Sequence, residues 1–288
     1  MFKFPEILSI PMAKWVDSIM QAVLDNFGGF FDLIGHISLI MLMSVERVFL
    51  AIPWFVIVIA VGILGWKILA SVWKGVLFSI LLMIIGSFGY WDLAMMTLAI
   101  VITSVITALI IGIPIGIIMA WSRTVETIIR PILDAMQTLP SFVYLIPALM
   151  LFGLGKVPAA FATFIYAVPP VIRLTCVGIR GVPEDVVEAA KAFGSSRWQI
   201  LFDVQLPLAR PSIMVGINQT TMMALAMVVV GSMIGAKGLG MEVLLSINRI
   251  EVGRGFEAGL SIVLLAIVID RLTNALSKNG ENTAGNGT

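Results

Sequence analysis

The chain has 288 residues, of which 59% are hydrophobic and only 12% are charged, and its formal net charge is +1. A soluble domain carries roughly 25% charged residues, so the composition excludes an ordinary soluble fold and predicts an all-α polytopic protein embedded in membrane lipid. The neutral balance gives no reason to expect a nucleic-acid partner. With one cysteine and one histidine, neither an intrachain disulfide nor a cysteine-based metal site is possible, and we expect no metal.

The first 50 residues form an N-terminal amphipathic segment. Within 12–27 the apolar residues fall on one helical stripe and the polar residues on the other, which predicts an interfacial helix, although packing on other protein fits the same pattern. We expect Gly28 and Gly29 to end this helix. The apolar stretch 30–43 is too interrupted to predict a span, so this segment could add one span to the total.

Residues 51–277 form the membrane domain, with about seven apolar segments. The second and fourth are short for a bilayer core of about 30 Å, which indicates that neighbouring helices support them. We expect Gly112, Pro114 and Gly116 to bend or break the third. The polar tail 278–288 is predicted to be disordered. The segments cover about 52–69, 75–88, 93–121, 139–152, 157–179, 213–234 and 256–269.

The distribution of Lys and Arg predicts the orientation. If the long polar loop 181–211 is cytoplasmic, the basic loops at 67–74 and 123–130 and the basic C-terminal end are cytoplasmic too, as the positive-inside rule requires. The basic residues between 237 and 254 weaken this contrast without reversing it. We therefore predict a multi-pass membrane protein with its N-terminus outside and its C-terminus in the cytoplasm.

The loop 181–211 has the local chemistry of two short helices. Pro183 suits a first helical position, and Gly194 suits the left-handed residue that ends a helix. Acidic residues follow Pro183, where the helix dipole favours them. The second helix has its own end signals, which are Ser195 or Ser196 as a cap and Pro207 and Pro211 as stops.

The same loop carries a spaced motif. Glu188-Ala189-Ala190 is followed after three residues by Gly194, and after nine more by Val204-Gln205-Leu206-Pro207. This resembles the EAA motif of the permease subunits of binding-protein-dependent ABC importers, which prefers Ile where Val204 stands. The resemblance implies a type I ABC importer transmembrane domain whose loop docks on an ATPase, with Glu188, Ala189, Ala190, Gly194, Leu206 and Pro207 as the coupling residues.

The resemblance also implies partners. The chain has no GxxxxGK[ST] phosphate loop, so it is not an ATPase itself. It binds no cofactor, and ATP and Mg belong to a separate ATPase subunit. An extracytoplasmic substrate-binding protein would deliver the solute. One coupling loop per chain implies a homodimer, since the fold needs two loops for two ATPases.

Four further stretches, 134–159, 166–194, 218–240 and 255–273, resemble the glycine betaine/proline betaine/choline branch of these permeases. That branch implies uptake of quaternary-amine compatible solutes for osmoprotection. A permease for another small polar solute, such as an amino acid, is the alternative. The candidate path residues are Met222, Met223, Met227, Asn218 and Thr221, for which core packing and helix–helix hydrogen bonding are the competing explanations.

Two other functional classes fit the sequence less well than an importer permease. An ion-coupled secondary transporter would need intramembrane carboxylates or inverted repeats, and acidic residues are nearly absent from the apolar segments. An intramembrane enzyme would need a nucleophile with a base, or metal ligands. The single histidine and the single cysteine, His36 and Cys176, lie far apart in the sequence.

Overall fold

The computed structural model describes residues 11–285 of the chain, and side chains as far as Ala275. Over this part the chain is α-helical without strands, as the composition predicts. The helices are α1 (Met12–Ala51), α2 (Trp54–Leu69), α3 (Val72–Ser87), α4 (Trp91–Trp121), α5 (Arg123–Thr138), α6 (Leu145–Phe152), α7 (Lys156–Arg180), α8 (Glu184–Ala192), α9 (Arg197–Gln199), α10 (Leu206–Ser232), α11 (Leu239–Arg249) and α12 (Val252–Gly285). A 3₁₀ turn (Ser141–Tyr144) precedes α6, and a π-helical turn (Ile200–Gln205) joins α9 to α10.

The predicted all-α polytopic fold is confirmed, with five long apolar helices in the described residues, or six spans if a bent pair counts as one, and about seven spans in total agrees with it. In the described residues, α1, α4, α7, α12 and the continuous stretch of α9 and α10 are long and apolar enough to cross a membrane. Helices α5 and α6 form a bent pair with an angle of 111°, and α2 and α3 are shorter apolar helices. The seven predicted segments correspond to α2, α3, α4, the α6 arm of the bent pair, α7, α10 and α12, and α1 is a further candidate.

Helix α7 is the centre of the bundle, with α4 and α10 packed along it. A Cβ atom on Gly112 would lie 2.6 Å from Val171, and one on Gly116 would lie 2.7 Å from the carbonyl oxygen of Ile172. These glycines therefore allow α4 and α7 to approach closely. Of the predicted bend or break in this segment, the break is wrong, because α4 continues through Pro114 and packing against neighbouring helices supports the interrupted hydrogen-bond ladder. The bend stays a prediction.

Helices α2 and α3 form a hairpin joined by Ala70, which has φ +48°. A Cβ atom on Gly75 would lie 2.3 Å from the carbonyl oxygen of Gly62, so the two short helices contact each other backbone to backbone. The hairpin packs on α12. This explains how spans of 16 residues each are supported by their neighbours.

Helix α1 differs from the prediction, because it does not end at Gly28 and Gly29. A glycine inside a helix costs about 1 kcal/mol relative to alanine, which is less than the cost of leaving backbone groups unpaired in an apolar medium. Its C-terminal half packs on the bundle through Leu42, which is fully buried. There the buried carboxylate of Glu46 pairs with Lys156 at 2.5 Å.

Helix α12 also extends further than expected, as far as Gly285. The predicted disordered tail, 278–288, is therefore helical over 278–285, and residues 286–288 lie outside the described part. A helix that is already formed can continue into polar residues because each added residue contributes one hydrogen bond without a new nucleation cost.

Candidate functional site

Helix α8 stands outside the bundle, with no buried residue along its length. Pro183 lies one position earlier than predicted, as the N-cap, and Glu184 and Asp185 occupy the first turn. Gly194 has φ +83°, as predicted, and no heavy atom lies within 4 Å of a Cβ built on it. The backbone angle, and not space, is therefore what requires glycine after α8.

A capping box begins α9 and decides between the two candidate serines. The Ser196 hydroxyl accepts a hydrogen bond from the Gln199 amide at 3.4 Å, and the Gln199 side chain accepts one from the Ser196 amide at 2.8 Å. Ser196 is therefore the cap. The chain then passes through the π-helical turn directly into α10.

The prediction that Pro207 and Pro211 stop the second helix is wrong, because α10 runs through both. The wider π-helical turn ends just before them, so Pro207 falls in the first turn of α10, where its missing N–H is not needed. Pro211 removes one further hydrogen bond, and α10 is held there by packing around the buried Ala209. The loop and the following span are thus one continuous body.

The π-helical turn anchors the loop in the bundle. Ile200 and Leu201 are 5% and 1% exposed. Leu201 packs with Ile179 of α7 and Ala209 of α10. The motif therefore divides into two parts: Glu188, Ala189, Ala190 and Gly194 lie on or next to the exposed helix, whereas Leu206 and Pro207 begin the buried span.

Arg180, at the C-terminal end of α7, is a residue that the sequence reasoning missed. Its guanidinium donates to the carbonyl oxygens of Met119 at 2.8 Å and Ala120 at 3.1 Å. It also pairs with Glu126 of α5. The last carbonyls of a helix have no intrahelical donor, so Arg180 joins the ends of α4 and α7 to α5 directly beneath the loop. A basic residue in the last turn of α7 was the available signal.

Two adjoining clefts separate α8 from the bundle. The first, of about 340 Å³, is lined by Trp121, Glu188 and Lys191, and the second, of about 480 Å³, includes Trp198. The Trp121 and Trp198 rings are 5.2 Å apart. Phe193, which directly follows α8, is 91% exposed. An exposed aromatic side chain on a helix that also lines open clefts is typical of a protein-docking surface.

The predicted path residues on α10 do not share one environment. Met222 is exposed, Met223 is half-buried, and Met227 is fully buried beside Leu42. Packing accounts for Met227. The hydroxyl of Thr221 donates to the carbonyl of Ile217, one turn earlier, at 2.8 Å.

Asn218 bridges α10 and α12. Its side-chain amide donates to the Asp270 carboxylate at 3.0 Å, and its carbonyl accepts from the Thr273 hydroxyl at 2.7 Å. Asn274 donates to the same carboxylate oxygen at 2.8 Å. Arg271, which follows Asp270 in the sequence, is 4.0 Å from its carboxylate, so the contacts with α10 dominate. Helix–helix hydrogen bonding accounts for this group.

The opposite end of the bundle carries a different polar group, at the turn between α11 and α12. Arg254 pairs with Glu242 at 2.6 Å and with Glu251 at 3.4 Å. Burial raises the pKa of the nearby Tyr90 phenol, and the charges of Glu242 and Glu257 raise it further. Tyr90 therefore stays neutral at physiological pH.

Comparison with known proteins gives a consistent result. The family model of the binding-protein-dependent transport system inner membrane component matches residues 112–279. The chain is 45% identical to the glycine betaine/carnitine transport permease protein GbuB of Listeria monocytogenes, over 96% of this chain and 99% of the relative. It is 45% identical to the glycine betaine/proline betaine transport system permease protein ProW of Escherichia coli, over 95% of this chain and 77% of the relative. It is 44% identical to the glycine betaine transport system permease protein OpuAB of Bacillus subtilis, over 92% of this chain and 93% of the relative.

Among solved structures, the chain is similar to one in the inward-facing MetNI methionine ABC transporter. The TM-score is 0.56, with 22% identity, over 64% of this chain and 92% of that chain. At this identity the likeness concerns the fold, which is that of a type I ABC importer transmembrane domain.

Proposed function

Because the chain belongs to the family of binding-protein-dependent transport system inner membrane components, we propose that it is the permease through which an importer takes up quaternary-amine compatible solutes of the glycine betaine type. The chain is a multi-pass inner-membrane subunit without ATPase activity of its own. The observation that carries the substrate class is the near-full-length similarity to permeases whose names include glycine betaine.

The two alternatives have less support. An amino-acid substrate would rest on the methionine transporter, which is only 22% identical and shares the fold alone. An ion-coupled secondary transporter does not agree with membership of a family whose members work with a binding protein.

We propose that α8 docks on the ATPase subunit, which holds the ATP and Mg. The docking surface consists of α8 and the tip at Phe193 and Gly194, and its exposure leaves it open to a partner. The alanines 189 and 190 allow close approach to a partner backbone, and Glu188 lies at the edge of the cleft, where it can accept hydrogen bonds from the partner.

Coupling then follows from the anchored half of the loop. Closure of the ATPase dimer on ATP moves α8, and Leu201 transmits the movement because it is packed between α7 and α10. The π-helical turn continues into α10 without a break, so a displacement of the loop reaches the span as rigid-body motion. The two permease subunits move together as rigid bodies, and this movement opens the solute path to the outside. ATP hydrolysis then returns the subunits to the inward-facing state.

The remaining features of the assembly belong to the same proposal. Two copies of the chain form a homodimer in membrane lipid, with two ATPases in the cytoplasm and an extracytoplasmic binding protein opposite. The loop and the C-terminal end face the cytoplasm. Among the path candidates Met222 has the best support, because its side chain is exposed on α10. Met223 and Thr221 stay candidates beside it, whereas Met227 is better explained by packing and Asn218 by helix–helix hydrogen bonding.

The test is reconstituted uptake. The permease, its ATPase and its binding protein are placed in vesicles with internal ATP, and uptake of labelled glycine betaine is compared with uptake of choline, proline and methionine. We expect saturable, ATP-dependent uptake of a quaternary amine. Saturable uptake of methionine alone, or of no quaternary amine, would contradict the substrate assignment.

A further inference from the structure

The carboxylate of Asp270 is an acidic group inside a candidate membrane span, which is the part of α12 from Val252 to Ala275. Its side chain is only 26% exposed. An ionisable side chain in such a span is costly to bury and is therefore a candidate functional residue. Neither the docking loop nor the path candidates on α10 account for this carboxylate, because it belongs to α12.

The hydrogen bonds of Asp270 come from two helices. Its Oδ1 atom accepts from the Asn218 amide on α10 at 3.0 Å and from the Asn274 amide, one turn further along α12, at 2.8 Å. The Thr273 hydroxyl on α12 donates back to the Asn218 side-chain carbonyl at 2.7 Å. Asn218 is thus bonded to α12 through both its donor and its acceptor, and such a satisfied network fixes the register of the two helices.

The contacts of α10 with its other neighbours are of a different kind. Among the described residues, the side-chain hydrogen bonds that join α10 to another helix all go to α12. Against α7 the contact is made by glycines. A Cβ atom on Gly216 would lie 3.2 Å from the Cα atom of Val171, and one on Gly178 would lie 2.8 Å from the Cβ atom of Ser212. A close contact of this kind has no directional bond that resists a shift, so α12 is the neighbour whose register with α10 is fixed.

Helix α12 in turn carries the hairpin of α2 and α3, which packs on it. Leu265 and Val268 of α12 belong to the same buried cluster as Val58 of α2 and Phe78 of α3. At the other end of this chain of contacts, α10 continues from the π-helical turn of the docking loop. Asn218 lies 12 residues after Leu206, or about 18 Å along the helix at 1.5 Å per residue. The network at Asp270 therefore stands between the loop and the outer helices.

We propose that Asp270 is a positioning residue of the transport cycle, which makes α12 move with α10 as one body when the loop is displaced. The hairpin of α2 and α3 follows α12. This inference rests on the proposed function, since it assigns a further residue to the same coupling. The role belongs to the accepting oxygen and not to the charge, because both amide donors meet the same Oδ1 atom and an amide oxygen in that place accepts the same bonds.

Solute uptake per ATP hydrolysed, measured in reconstituted vesicles, tests this role, because the ratio does not depend on how much of the permease is folded. We expect Asp270→Leu to lower the ratio about fivefold or more and Asp270→Asn to retain most of it. Ser261→Ala is the control, because the buried Ser261 hydroxyl bonds within α12, to the Glu257 carbonyl.

Two outcomes of the uptake measurement would overturn the proposal. An unchanged ratio in Asp270→Leu would show a merely structural role, even if the unfolding temperature falls. An equal loss in Asp270→Asn and Asp270→Leu would assign the role to the charge. If Asp270→Leu does not yield a folded protein, Asn218→Ala takes its place, since it removes the α10 side of the network without adding bulk.

Distances between spin labels, measured by electron paramagnetic resonance, test the common movement without transport. Val215→Cys on α10 and Val263→Cys on α12, at positions 47% and 52% exposed, carry the labels in a Cys176→Ala background, and labelled subunits are diluted with unlabelled ones. We expect the same distance with and without ATP trapped in the ATPase, and a changed distance once Asp270→Leu is added. A distance that changes without Asp270→Leu, or stays constant with it, would overturn the proposal. Because this measurement needs no solute, its failure is distinct from failure of the uptake proposal.

Discussion

The two halves of the loop between α7 and α10 differ in burial, although they are adjacent in sequence. Helix α8 has no buried residue, whereas Ile200 and Leu201 of the π-helical turn are almost completely buried. The first half therefore contributes little to the stability of the isolated permease, and the second half belongs to its core. A surface that is ordered by its neighbours but not covered by them is suited to a partner, and a buried segment beside it is suited to transmit force.

The largest expected effect comes from the buried half. Leu201→Ala removes a side chain packed between α7 and α10, and a buried leucine truncated to alanine costs about 2–5 kcal/mol. We expect a clear fall in the thermal unfolding temperature of the purified permease. Leu208→Ala is the control, because Leu208 is 52% exposed; an equal fall in both variants would contradict the proposed anchor.

Arg180→Gln should have the next largest effect, because it leaves the Met119 and Ala120 carbonyls without their donor and Glu126 without this partner. A lost hydrogen bond of a charged group costs about 1.5–3 kcal/mol, less here because the guanidinium is partly exposed. Arg173→Gln, at an exposed pair with Asp134, is the control. Similar unfolding temperatures for both variants would contradict the conclusion that Arg180 joins the ends of α4 and α7 to α5.

Gly194→Ala is expected to have a moderate effect on stability and a larger one on coupling. A side chain at φ +83° costs roughly 1–2 kcal/mol, so the chain after α8 would change direction. In reconstituted vesicles, substrate-stimulated ATP hydrolysis should fall while the permease stays folded. Gly253→Ala is the matched control, since nothing lies within 4 Å of its Cβ and its backbone is helical. Full stimulation in Gly194→Ala would contradict a geometric role for this turn.

The smallest effect on stability, with a large effect on assembly, is expected for Phe193→Ala. At 91% exposure this ring contributes little to the isolated permease, but an aromatic anchor in an interface is worth about 2 kcal/mol or more. Affinity for the ATPase, measured by surface plasmon resonance on detergent-solubilised permease, should fall at least tenfold. Phe256→Ala, 69% exposed near the turn between α11 and α12, should leave that affinity unchanged. Equal affinity of both variants would exclude Phe193 from the interface.

The sequence predicted the features that depend on neighbouring residues. The acidic start of α8, the left-handed Gly194 and a serine cap on the following helix all follow from local backbone chemistry. The spans follow from apolar length. The candidate docking surface follows from the spacing between Glu188 and Pro207, which resembles a known motif, and its assignment to an ATPase is a proposal.

The predictions that were wrong concern features that depend on tertiary packing. In a water-soluble protein, Gly28, Pro114 and Pro207 would each predict the end of a helix. In this chain, packed neighbouring helices and the absence of water favour an intact helix. The π-helical turn that accommodates Pro207 has no local signature. Arg180 was missed for a related reason, since its partners Met119 and Glu126 are 54 or more residues away in the sequence.

The central claim is that α8 contacts the ATPase and controls its activity. In a Cys176→Ala background, which removes the buried native thiol, Glu188→Cys is treated with a short bifunctional crosslinker in the assembled transporter, and Val252→Cys, near the turn between α11 and α12, is the control. We predict that Glu188→Cys crosslinks to the ATPase and that the crosslink abolishes substrate-stimulated hydrolysis, whereas Val252→Cys does neither. Absence of an ATPase crosslink at position 188 in an assembled, actively stimulated transporter would contradict the account.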